Sequence, residues 1–193
     1  MTAFRSPSFL LSHLEALYAQ KGGLQYGEDV TQLQHALQCG ALAEQAGASD
    51  ALVLAAVLHD VGHMLHWDAA QALEHMEDDS HEDLGAKWLA RAFGAAVTEP
   101  IRLHVQAKRF LCLREPSYAQ ALSSISRVSL QLQGGPMTSE ESVRFEATPY
   151  AMDAVQLRRW DDAGKVADRL VPPLQYFLSR ASSLISVTQP PPN

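Results

Sequence analysis

The sequence predicts an all-α fold, a compact single-domain bundle of about seven or eight helices, on three observations. Apolar residues recur at helical spacing, as in Val30, Leu33, Leu37 and Ala41, or Leu84, Trp88 and Ala92. Strand alternation is absent. Residues that start and stop helices also punctuate the chain at helical intervals. With 193 residues and 47% apolar composition, one sizeable core is affordable.

In chain order, Ser6-Pro7 opens a first helix that Gly22-Gly23 closes. Gly47 closes a second and Asp50 caps a third, which runs through the apolar stretch Ala51 to Leu58. Ser80 with Asp83 resembles a capping box, and Gly94 ends that helix. Thr98 with Pro100, Ser117 after Pro116, Thr138 with Glu141, and Pro149 mark later starts; Gly134-Gly135-Pro136 and Gly164 mark stops. The domain is expected over residues 1–186, followed by a disordered tail at 187–193 that is rich in proline.

Charge and composition exclude several functions. A formal charge of −7 argues against binding a nucleic-acid backbone, which calls for a basic surface. The longest apolar run falls far short of the roughly 20 residues that span a bilayer. Phe9-Leu10-Leu11 is interrupted by His13 and Glu15, which does not suit a signal peptide. A cytoplasmic enzyme acting on a small molecule is the expectation, as a monomer or small homo-oligomer. Cys39 and Cys112 stand apart and are expected as buried free thiols.

The histidines are unusual in their placement. His35, His59, His81 and His104 follow one another at intervals of 24, 22 and 23, and Asp60 adjoins His59. Such spacing suits successive helices lining one cavity. In Ala55-Ala56-Val57-Leu58-His59-Asp60-Val61-Gly62-His63 an acid follows an apolar helix directly, where burying it unpaired would be costly. Imidazoles and carboxylates together suit Fe, Mn, Zn or Co, and one carboxylate can bridge two ions. Any one of these histidines alone reads most simply as a hydrogen-bonded core or surface group; the set points to metal. His13, His66 and His75 lie outside the pattern and are expected on the surface.

Basic residues accompany the pattern. His63 follows His59 by four, Lys108 follows His104 by four and Arg158 precedes Asp161 by three, so each can share a helical face with a ligand. Three basic groups beside metal ions suit a phosphate or phosphonate, which Arg can hold through two oxygens. The simpler reading of Lys108 and Arg158 is an exposed ion pair.

His35, His59-Asp60 and Asp161 give the H…HD…D pattern of the HD superfamily, best known for metal-dependent phosphohydrolases. With His81 and His104 the set resembles the six-ligand, mixed-valent di-iron oxygenases of that superfamily, which include myo-inositol oxygenase and the enzymes that cleave organophosphonates. The phosphonate-cleaving group is the closer match, from about Tyr26 to Lys165. The resemblance is carried by Gln32-Leu33-Gln34-His35-Ala36-Leu37-Gln38-Cys39, His59-Asp60-Val61-Gly62-His63 and His104-Val105-Gln106-Ala107-Lys108-Arg109. Gln133-Gly134-Gly135-Pro136-Met137 and Arg158-Arg159-Trp160-Asp161 add to it and are not general features of the superfamily.

The resemblance implies two iron ions, Fe(II) and Fe(III), bridged by Asp60. His35, His59 and Asp161 would hold one, and His81 and His104 the other. It further implies that His63, Lys108, Ser126 and Arg158 hold phosphonate oxygens. Tyr26 and Glu28 look like a loop tyrosine and a glutamate that gate the iron site in the family, although here the tyrosine stands one residue closer to the glutamate, with Gln25 at the ungapped position. The implied reaction uses O2 to cleave the C–P bond of 2-amino-1-hydroxyethylphosphonate, giving glycine and phosphate, or of its N-trimethyl analogue, giving glycine betaine. Glu28 and Asp29 could meet an ammonium; Tyr26 and Trp67 could line an aromatic cage for a quaternary one. The competing readings are a metal-dependent hydrolase of a small phosphate ester or nucleotide and a degenerate domain that senses a phosphorylated ligand.

Overall fold

The apolar stretch that follows Ser49 lies at the centre of the molecule: every residue from Ala51 to Leu58 is buried, as expected of a helix that is hydrophobic on all sides. The computed structural model describes residues 7–25, 29–65 and 80–185. In order the helices are α1 (Pro7–Lys21), α2 (Gln32–Gln45), α3 (Asp50–Leu58), α4 (Val61–Leu65), α5 (His81–Leu89) and α6 (Ala95–Arg114). There follow α7 (Pro116–Ala121), α8 (Ser124–Leu132), α9 (Ser139–Glu146), α10 (Ala151–Ala163), α11 (Leu174–Leu178) and α12 (Ala181–Leu184). Among the described residues the only β pairing is two isolated bridges, Gln25 with Thr31 and Phe93 with Ile185, so the all-helical expectation holds.

Among the described residues the helix count exceeds the seven or eight expected. Most of the excess is short helix: α4 and α11 have 5 residues, α7 has 6 and α12 has 4. Segments this short show no usable apolar period, so sequence spacing passes over them.

Helices α2, α6 and α10 pack on α3, and α10 also packs along α6. The main apolar core surrounds α3, and a second cluster built on Leu103, Phe110, Phe145 and Val155 joins α6, α9 and α10. Gly40 lets α2 approach α3 closely, because a Cβ there would stand 2.4 Å from a Val57 methyl. The Tyr18 hydroxyl donates to the Val57 carbonyl at 2.7 Å, and Lys21 Nζ to the Met64 carbonyl at 2.8 Å, which fastens α1 to α3 and α4. No described helix is long and apolar enough to cross a membrane.

Several caps lie where expected. Pro7 begins α1, Pro116 begins α7, Gly164 ends α10, and Thr138 with Glu141 forms a complete capping box. Others differ. Ser49, not Asp50, caps α3, its hydroxyl accepting from Leu52 N at 3.3 Å. Ser80 precedes α5 in a left-handed conformation (φ 45°) with no side-chain capping bond. Gly94 is the N-cap of α6, while α5 ends earlier, at Leu89. Thr98 and Pro100 therefore lie inside α6 and do not start it.

Candidate metal centre

The His59-Asp60 pair sits where α3 ends and α4 begins, with His59 as the C-cap residue. Gly62 makes the next step possible. A Cβ there would stand 1.9 Å from the His81 carbonyl oxygen, so only glycine lets α4 meet the start of α5. Gly85, one turn into α5, faces Gly62 across the same contact. Through this approach His81 reaches Asp60, while α2, α6 and α10 bring His35, His104 and Asp161.

The histidines are oriented from behind. His35 Nδ1 lies 3.0 Å from the Gly164 carbonyl, His59 Nδ1 2.9 Å from that of Ala56, and His104 Nδ1 2.7 Å from that of Ile101. A carbonyl only accepts, so each Nδ1 carries a proton and Nε2 is the atom turned towards Asp60. His81 Nδ1 instead stands 3.5 Å from Glu82 Oε2. The Nε2 atoms then converge in pairs, His35 with His59 at 3.3 Å and His81 with His104 at 3.3 Å.

Asp60 lies between the two pairs. Its Oδ2 is 3.6 Å from His35 Nε2 and 3.4 Å from His59 Nε2, while its Oδ1 is 3.5 Å from His81 Nε2 and 3.9 Å from His104 Nε2. Asp161 Oδ1 joins the first pair, 3.4 Å from His35 Nε2 and 3.9 Å from His59 Nε2. Converging imidazole nitrogens and two buried carboxylates form a donor-rich hollow that suits a cation. Burial opposes ionising Asp60, but His59, His63 and His81 hold its pKa well below the usual range; for Asp161, Arg158 and His35 do the same against burial. His104 is pushed down by burial and by His81 and His59, towards the neutral form that binds metal. The six expected ligands are therefore together, as two clusters sharing one carboxylate, and the donor set fits two ions of the Fe, Mn or Zn kind.

Cys39 also borders this hollow, its Sγ 3.8 Å from both His35 ring nitrogens. It donates to the Trp160 carbonyl, and burial raises its pKa, so it remains a thiol behind His35. Both cysteines are buried and free, as expected.

The basic residues adjoin the centre. His63 is buried, stacks on His81 at 3.8 Å between ring centroids, and lies 3.9 Å from Asp60 Oδ1. Lys108 is 2% exposed and Arg158 4%, so neither is the exposed ion-pair partner of the simpler reading. Arg158 Nη1 contacts Asp161 Oδ2 at 2.7 Å, and its Nη2 reaches the hydroxyl of buried Ser126 at 3.5 Å. Lys108 Nζ donates to Ser129 Oγ at 2.8 Å. Burial and the neighbouring Arg158 lower the Lys108 pKa to about 8.

The Gly-Gly-Pro-Met segment holds this side of the site in place. Arg109, next to Lys108, donates Nε to the Gly135 carbonyl at 2.8 Å, and Met137 N donates to the Arg109 carbonyl at 3.2 Å. These bonds tie the turn after α8, itself bonded back to α8 by Gly135 N donating to the Leu130 carbonyl at 2.8 Å, to α6, which carries Lys108. Gly134 and Gly135 both have positive φ, 94° and 72°, which accounts for two glycines at the turn.

Tyr26, Glu28, Trp67, His66 and His75 lie outside the described residues; Asp29 is exposed, and so is His13. Three polar side chains around the basic pair, Ser129, Tyr118 and Asp162, were not anticipated. Asp162 stands one turn from Arg158 and Ser129 three residues from Ser126, spacings that could have suggested both. Tyr118, 40 residues before Arg158, had no such signal.

Residues 33–142 match the HD-domain family model, a span that includes His35, His59, Asp60, His81 and His104. Over 183 residues, 94% of this chain and 90% of the relative, the sequence is 44% identical to the hydroxymethylphosphonate dioxygenase of Gimesia maris. It is 36% identical over 177 residues to the glycine-betaine-forming [1-hydroxy-2-(trimethylamino)ethyl]phosphonate dioxygenase of Leisingera caerulea, covering 91% of this chain and 90% of that one. An uncharacterised protein of Acanthamoeba polyphaga mimivirus is 35% identical over 164 residues.

Proposed function

Since this chain belongs to the HD-domain phosphonate dioxygenases, we propose that it uses O2 to cleave the C–P bond of a 1-hydroxyphosphonate at a pair of iron ions. The observation that carries this reading is the division of Asp60 between two histidine pairs beside buried Arg158, Lys108 and Ser126. A metal pair next to an anion clamp suits a substrate whose phosphorus group is held while the adjacent carbon reacts.

Both named relatives act on phosphonates, and their substrate names share a hydroxyl on the carbon that bears phosphorus. For this chain the substrates proposed are 2-amino-1-hydroxyethylphosphonate, giving glycine and phosphate, and its N-trimethyl analogue, giving glycine betaine and phosphate. In either reaction the carbon is oxidised to a carboxylate and the C–P bond breaks. The products contain two oxygen atoms more than the substrate, one on carbon and one on phosphorus, which matches one O2.

When bound, the iron pair would supply the reducing equivalent that engages O2, regained as the substrate is oxidised, and a place for the substrate hydroxyl. Asp60 would bridge them, with His35, His59 and Asp161 on one ion and His81 and His104 on the other. The chain's own part is positioning and charge neutralisation. Arg158 and Lys108 would neutralise the phosphonate dianion, and Ser126 and His63 would fix its remaining oxygens, which sets C1 at the centre. Burial of these four residues excludes water and strengthens each contact.

The test is to load purified protein with iron and supply each hydroxyphosphonate, hydroxymethylphosphonate included, with and without O2. Phosphate and a carboxylate should appear together, only with O2. Phosphate release from an ester without O2 would establish the hydrolase instead.

A further inference from the structure

Arg158 is held along its Nε edge by groups that no metal ion needs. Its Nε donates to the Tyr118 hydroxyl and to Asp162 Oδ2, both at 3.1 Å, and its Nη2 contacts Asp162 Oδ1 closely. The Tyr118 hydroxyl in turn donates to Asp162 Oδ2 at 2.5 Å, closing a three-membered network. Burial, with Asp162 beside it, raises the Tyr118 pKa, so the phenol keeps the proton it donates. One edge of the guanidinium is thus fixed by Asp162 and Tyr118. Nη1 lies on Asp161 and Nη2 also reaches Ser126.

Lys108 has a parallel device. Ser129 accepts its ammonium at 2.8 Å and passes its own proton to the Ser126 carbonyl at 3.2 Å. Ser129 therefore fixes Lys108 relative to the helix turn that presents the Ser126 hydroxyl. Burial, and after it the neighbouring Arg158, lowers the Lys108 pKa against the pull of Asp161 and Asp162, and an anion in contact with Lys108 would favour its charged form.

We propose that Tyr118 and Asp162 are positioning residues that aim Arg158, and Ser129 one that aims Lys108, at the phosphonate group of the substrate. The inference rests on the assignment of this clamp to an anionic substrate. A guanidinium free to rotate would no longer hold its Nη1 and Nη2 edge beside Ser126, so these residues act on anion affinity more than on the chemical step.

The experiment compares iron-loaded wild type with Tyr118→Phe, Asp162→Asn and Ser129→Ala. Tyr118→Phe keeps the ring that packs beside Leu122 and Cys112, and the serine change is small. Inorganic phosphate is the probe, titrated calorimetrically, alongside iron content, melting temperature and KM and kcat for the hydroxyphosphonates. Each variant should bind phosphate about 10-fold more weakly, with a parallel rise in KM, less than 3-fold change in kcat and unchanged iron content. Asp162→Ala should be weaker than Asp162→Asn, which keeps one acceptor for Nη2. Wild-type phosphate affinity in Tyr118→Phe and Ser129→Ala would overturn the proposal, and so would a loss confined to kcat or to iron. Because phosphate binding is read without turnover, absence of phosphonate cleavage in the wild type would sink the reaction while leaving the clamp on trial.

Discussion

At the scale of single residues, the centre depends on atoms that cannot be replaced by their neighbours. His81 and His104 are the only histidines of the six expected ligands that face Asp60 Oδ1, and each is buried. Removing either imidazole leaves one of the two clusters with a single histidine. His81→Ala or His104→Ala should therefore abolish turnover and lower iron content by about half, measured by metal analysis; full activity in either would contradict the two-ion assignment. Lys108 supplies a pH signature. With its pKa lowered to about 8, the ammonium is present below that pH and lost above it. Since the anion needs the charge, kcat/KM should fall as pH rises through about 8, and a Lys108→Met variant, already impaired, should lack that limb. An unchanged limb in Lys108→Met would show that another group titrates. These residues were legible because a helix repeats its face every three or four positions: Lys108 behind His104, and Arg158 before Asp161. Tyr118 was not legible, since only the packing of α7 against α6 brings it within reach of Arg158.

At the scale of helices, the metal motif is as much a packing motif as a set of ligands. Gly62 stands between two ligands because α4 and α5 touch through it. Gly62→Ala would put a Cβ 1.9 Å from a backbone oxygen, which no side-chain rotation can relieve. We expect it to cost at least about 1–3 kcal/mol in unfolding and to displace His81, with loss of iron. Gly85→Ala should be milder, its Cβ meeting Gly62 N at 3.1 Å and a Val61 methyl at 3.2 Å. Equal losses in denaturant titrations of the two would refute this account. Helix boundaries show where local reasoning stops. Thr138 with Glu141 was readable because both bonds of that box lie within four residues. Ser80 has the residue type of a cap, yet it enters α5 in the left-handed region, at the point where His81 is pressed against Gly62. Gly94 shows the ambiguity of glycine, which after an apolar period suits an end as well as a start and here precedes α6.

For the whole molecule, the site is a meeting point of distant segments. His35 on α2, His59 at the end of α3, His81 on α5, His104 on α6 and Asp161 on α10 bring imidazole nitrogens and buried carboxylates together. That they come together was foreseeable from repeated intervals in the sequence; that Asp60 divides its two oxygens between two pairs was not, since it depends on crossing geometry. Ions bound there join five parts of the chain that are far apart in sequence, and the unfolded chain offers no such set. Iron should therefore stabilise the fold by linkage, about 2.7 kcal/mol for each site at a free concentration 100 times its dissociation constant. In a chain of this size each kcal/mol raises the melting temperature by about 2–4 °C, so one site should add about 5–10 °C and a chelator should remove it. His81→Ala should retain part of that gain through His35, His59 and Asp161. A melting temperature indifferent to iron and chelator in the wild type would mean that the six residues do not act as a metal centre at all.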